Sequence, residues 1–156
     1  MGQQQLLLLT LATIIVGFAT LGAIQAFDRY RKQSTADHMK QVALEVAANV
    51  QVYARKSELH RPANSTSSNP LVIDFGELGQ YSTNGASGDG DYVDEVAVYS
   101  LNGNDTLPGD YNAEACPENG AVNTVEAFND TYNVSVCVGI AGLTAADLET
   151  GVIMGE

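Results

Sequence analysis

The chain has 156 residues, 45% of them apolar, two cysteines and a formal charge of −12; that is room for one modest domain with an appendage, and too apolar for a disordered chain. All seven Lys and Arg fall at or before Arg61, against four acids there, whereas from Pro62 onward there are fifteen acids and no base. The acidic part cannot displace phosphate counterions and is excluded as a nucleic-acid surface; its charge serves solubility in salty surroundings, cation binding or pairing with the basic part.

The first element is apolar. Leu6 to Phe27 carries no charged residue, and as a helix it reaches roughly 33 Å, enough to cross a bilayer. A cleaved export signal needs a basic start, a shorter apolar core and a small-residue cleavage site; here the basic start is missing and the run is long. The stretch therefore reads as permanent, and Leu6, Leu7, Leu8, Leu9, Leu11, Ile14, Ile15, Val16, Phe18, Leu21, Ile24 and Phe27 are its candidate packing surface.

The helix is expected to continue. No proline occurs before Pro62, and Ala, Gln, Lys, Glu and Leu dominate the segment after Phe27, which favours helix. Met39, Ala43, Val46, Val50 and Tyr53 recur at steps of four and three, an apolar stripe on one face that predicts packing against a head domain. Residues 1–61 thus form a stem of roughly 90 Å, with Gly17 and Gly22 too mild as breakers to melt it. ANSTSSNP at 63–70 ends it.

Residues 62–156 form the acidic head. LVIDF at 71–75 predicts a strand, as does Tyr92–Leu101. Residues 121–128 and 131–140 predict a hairpin around Asn129 and Asp130. In its second arm Tyr132, Val134, Val136, Val138 and Ile140 share one face, while Asn133, Ser135, Cys137 and Gly139 share the other. LTAADLETG offers a helical turn capped by Thr144. An antiparallel sheet packed on the amphipathic half of the stem is the economical fold, an α+β arrangement.

Cys116 and Cys137 are even in number, with no CxxC and no nearby His, which favours one disulfide over zinc; reduced buried thiols are the alternative. A disulfide places the head outside the cytoplasm. Four Asn-x-Ser/Thr sequons, at Asn64, Asn104, Asn129 and Asn133, are candidate glycosylation sites on that side. Arg29, Arg31 and Lys32 pull the other way, since basic residues flanking a span hold that flank in the cytoplasm. A basic leader ahead of Met1, removed from the mature chain, would reconcile the two.

An apolar helical start, the aromatic-basic junction AFDRYRK, an amphipathic continuation and a small Cys-paired β head resemble the type IV pilins. In residues the likeness runs from Met1 to about Lys56; over the head it is architectural. Bacterial members usually carry a glutamate where this chain has Gln5, and the proline common near position 22 is missing. The resemblance implies a subunit inserted in the inner membrane, then extracted by assembly machinery and packed so that apolar helices form a filament core. It implies homopolymeric self-association and a cell-surface location. A single-pass anchored binding domain, or a minor pseudopilin of a secretion system, is the alternative.

Chemistry finds little footing. His38 and His60 lie in the stem, and GxSxG, HExxH and phosphate-loop patterns are missing, so no enzyme is expected. No cofactor is expected either, except calcium at DGDYVDE, where Asp89, Asp91, Asp94 and Glu95 gather hard oxygen ligands around a glycine. A solvated acidic loop reads the same residues without an ion.

Overall fold

The structure is a computed structural model that describes residues 2–56, 73, 75–79, 81, 91–101, 115–116 and 123–155. Helix α1 covers Gly2–Ala54 without interruption, and α2 is a single turn at Phe75–Leu78. Five strands follow: β1 Tyr92–Val93, β2 Val98–Leu101, β3 Asn123–Asn129, β4 Val134–Ile140 and β5 Leu148–Met154. They form one antiparallel sheet in the order of the chain. The fold is α+β. Compactness divides the chain within α1, into residues Met1–Ser34 and Thr35–Glu156. The sequence boundary at 61/62 marks instead the end of helix-favouring composition, and it lies outside the described residues.

In the second unit, the α1 stripe is the helical half of the core. Met39, Ala43, Val46 and Val50 have no exposed surface and Tyr53 almost none. They cluster with Tyr99, Leu101, Val125, Ala127, Val134, Val136, Val138 and Ile140. Those sheet residues alternate along their strands, so one face meets the helix and the other faces away. Each buried Val or Met of this layer contributes roughly 1.5–3 kcal/mol relative to exposure.

Polar side chains fasten the helix end. Gln51 lies in the same buried surface, and its Nε2 donates to the carbonyls of Gly142 and Thr144, both at 2.8 Å. Arg55 donates to the carbonyl of Leu143. Two residues before Gln51, Asn49 Nδ2 donates to the Tyr81 hydroxyl at 2.7 Å. The C-terminal end of α1 is thereby held at the end of the sheet where β4 gives way to the loop 141–144.

Three elements differ from the sequence expectation. Of LVIDF, Ile73 is in no regular element and Phe75 opens α2 rather than a strand. A short apolar run suits a buried turn as well as a strand, and Phe75 is buried against Tyr81 and Tyr92. The stretch Tyr92–Leu101 is not one strand but a hairpin, β1 to β2. Asp94 folds it: Oδ1 accepts the N–H groups of Val96 and Ala97, both at 2.7 Å, and its own N–H donates to the Ala97 carbonyl. Aspartate diverts a chain in this way because its carboxylate competes with the ladder for backbone donors. Finally, LTAADLETG supplies a 3-10 turn at Ala145–Asp147 with Thr144 at its start, but then becomes β5.

The hairpin of β3 and β4 pairs Asn129 with Val134. Asn129 holds its tip together: Oδ1 accepts the Tyr132 N–H at 2.8 Å, and Nδ2 donates to the Val96 carbonyl in the β1–β2 turn. Asn133 takes φ +51°, a left-handed conformation asparagine tolerates better than most residues.

Candidate functional site: an exposed apolar helix

Residues 2–31 of α1 are exposed throughout. All twelve of the candidate packing residues, from Leu6 to Phe27, lie between 50% and 72% exposed, with Leu11 lowest and Phe18 highest. The helix is long and apolar enough to cross a membrane. Water disfavours such a surface at roughly 25 cal/mol per Å2, so it demands lipid or another apolar partner.

The threonines inside this stretch are bonded as a dry environment requires. Thr10 donates its hydroxyl to the Leu7 carbonyl at 2.9 Å, and Thr13 to the Thr10 carbonyl at 2.8 Å. Thr20 reaches the carbonyls of Val16 and Gly17, at 3.0 and 2.8 Å. A hydroxyl bonded to its own backbone needs no water, which is the condition for residing in hydrocarbon. A Cβ placed on Gly17 or Gly22 would touch nothing, so packing within the chain places no demand for glycine at either position. The apolar run ends at Arg29 and Arg31, both exposed, and at the half-buried Lys32.

In the second unit, Cys116 and Cys137 form a disulfide with their Cα atoms 4.8 Å apart. Cys137 points to the sheet face opposite the helix, between its partners Glu126 on β3 and Gly151 on β5. Glu126 is nearly buried, accepts the Thr124 hydroxyl at 2.9 Å, and lies 3.8 Å from Cys116 Sγ. That last approach is a contact rather than a hydrogen bond, because an oxidised sulfur carries no proton. Cys116, Glu126 and Cys137 stand close enough to suggest metal ligands, but both sulfurs are committed to each other.

Of the calcium candidates, Asp89 lies outside the described residues. Asp91 is half-buried, directly before β1, and Glu95 is exposed in the β1–β2 turn. Asp94 has both carboxylate oxygens engaged, Oδ1 by two backbone N–H groups and Oδ2 by the Tyr99 hydroxyl at 3.1 Å. Burial, and secondarily the Asp94 charge, push the Tyr99 phenol above its ordinary range. Tyr99 closes a run of four rings with Phe75, Tyr81 and Tyr92, neighbours 5.1 to 6.1 Å apart.

Among the sequons, Asn64 and Asn104 lie outside the described residues. Asn129 is buried, with both ends of its amide bonded, whereas Asn133 is exposed at the hairpin tip. The roles of Gln51, Asn129 and Asp94 escape a sequence reading. The only advance signal is a polar residue set within an apolar pattern, as Gln51 is beside Val50 and Tyr53.

The chain matches no family model, no curated protein and no solved structure.

Proposed function

We propose that this chain is a structural subunit of an extracellular, type IV pilus-like filament. Its apolar helix anchors it first in the inner membrane and afterwards packs against copies of itself, handed over by inner-membrane assembly machinery. The work is mechanical: no catalysis and no cofactor enter it. The observation that carries the reading is a helix whose residues 2–31 are all exposed, running unbroken into a half that is the core of a disulfide-closed sheet domain. A free surface of that size and apolarity is unfavourable in water and needs hydrocarbon or its own kind. Of the two described sequons, Asn133 is exposed and is the one open to a glycan, whereas Asn129 is buried with its amide bonded.

Electron microscopy of material sheared from cells, with antibodies against the head, tests the proposal. Filaments labelled along their length are the expected result. Chain found only as detergent-dependent monomer in the membrane fraction would instead support an anchored binding domain. Mass spectrometry of the extracted N-terminus adds whether a leader has been removed.

A further inference from the structure

We propose that the basic belt at the end of the apolar span, Arg29, Arg31 and Lys32, docks on the acidic head of a second copy of this chain. This inference rests on the filament reading and adds the partner and chemistry of one contact.

The first ground is placement. Residues 2–34 hold three bases and one acid, Asp28, and Arg29 and Arg31 are exposed. They follow the apolar run in sequence and lie within six residues of Thr35, where the second unit begins.

The second ground is complementarity. From residue 62 on, the chain has fifteen acids and no base. Two of the exposed ones, Glu95 and Asp130, sit in the β1–β2 and β3–β4 turns, which the Asn129 amide ties together at one end of the sheet. That end is opposite the one where Gln51 and Arg55 fasten α1. A homopolymer supplies one such head for every belt. Arginine suits the contact, since its planar fork matches a carboxylate with two parallel hydrogen bonds and desolvates more readily than lysine. Single exposed pairs are weak, but a polymer repeats them at every subunit. Anionic lipid headgroups are the competing occupant; they would use the belt and leave the segregation of acids unexplained.

Filaments sheared from cells and pelleted across a NaCl series test this, wild type beside an Arg29→Gln, Arg31→Gln variant. Salt screens such contacts, the Debye length falling to about 3 Å at 1 M. The wild type is expected to release subunits as salt rises, and the variant at less than about half the salt concentration. Zero-length carbodiimide treatment of wild-type filaments is expected to join Lys32 to a carboxylate beyond residue 62 of another copy, a readout that does not depend on the variant assembling. A variant with the wild-type salt profile, together with no Lys32 cross-link to a head, overturns the contact while leaving the filament reading intact. Retention of wild type but not variant on phosphatidylglycerol vesicles, with filaments unaffected, assigns the belt to lipid and overturns it too. If the wild type forms no filaments, the parent reading fails and this contact with it.

Discussion

Gly151 stands directly across from Cys137 in the β4–β5 register, and the carbonyl oxygen of Ala115 lies 1.8 Å from where a Cβ on residue 151 would be. The disulfide draws the segment at 115–116 onto the sheet, and only a residue without a side chain leaves it room. Gly151→Ala should therefore destabilise the head by about 1–3 kcal/mol, the range for overpacking a closed site. Removing both cysteines should cost about 3 kcal/mol on the chain-entropy estimate, for a separation of 21 residues. The two effects should be less than additive, because an untethered segment can move away from the new methyl group. Thermal unfolding of the detergent-solubilised chain, as single variants and combined, checks this.

Met39 and Leu9 mark the buried and the exposed stretches of α1. Met39 is fully buried against the sheet, while Leu9 is 68% exposed. Met39→Ala should cost about 2–5 kcal/mol through lost burial and the cavity left behind. Leu9→Ala should leave head stability within about 0.5 kcal/mol of wild type, yet reduce filament yield. Melting curves and pelleted filament mass, measured on both variants, give the comparison.

Asp94 turns β1 into β2 by accepting two backbone N–H groups and the Tyr99 hydroxyl. Asp94→Ala strands those donors and should cost about 1–3 kcal/mol. Asp94→Asn keeps a carbonyl oxygen for the two N–H groups and should cost less. Denaturant unfolding ranks the pair, and equal losses would count against this account of the turn.

Asp147 has its pKa lowered, chiefly by the Thr144 hydroxyl and then by the Thr144 N–H, both held by Oδ2. A depressed folded pKa means that the folded state favours the ionised form. The stabilisation is complete above the ordinary aspartate range and is lost as pH falls through the folded pKa. Asp147→Asn should lower stability at neutral pH by removing that ionised acceptor. The difference from wild type should shrink as pH falls through the folded pKa, which flattens the acid limb of the stability curve. Melting temperatures from pH 7 down to pH 2 measure it.

The readable parts of this fold are those whose pattern is local. Met39 through Tyr53 repeat at helical spacing, and Val134 through Ile140 alternate over seven residues, so both faces follow from the period alone. β5 hides because Gly151 interrupts an otherwise apolar end, and the reason for that glycine lies at Ala115, 36 positions earlier. Asp94 hides because an acid between two β-forming runs looks like a solvent-facing strand residue until its oxygen is seen on Val96 and Ala97. LVIDF predicts a strand, yet Phe75 opens a helical turn, because in so short an apolar run nothing local separates a strand from a buried turn. In the exposed span, the apolar character was plain in the sequence, but the inward bonding of its threonines was not.

That inward bonding carries a consequence for how copies would fit together. Between Leu6 and Ile24 the only side chains able to form a directional bond are Thr10, Thr13 and Thr20, and each has turned its hydroxyl back on its own helix. What remains to a neighbour is shape: ridges and grooves of Leu, Ile, Val and Phe side chains, whose interdigitation alone would set the crossing angle. In a filament, the register of the spans would then follow from how those side chains interlock and not from any hydrogen bond between them.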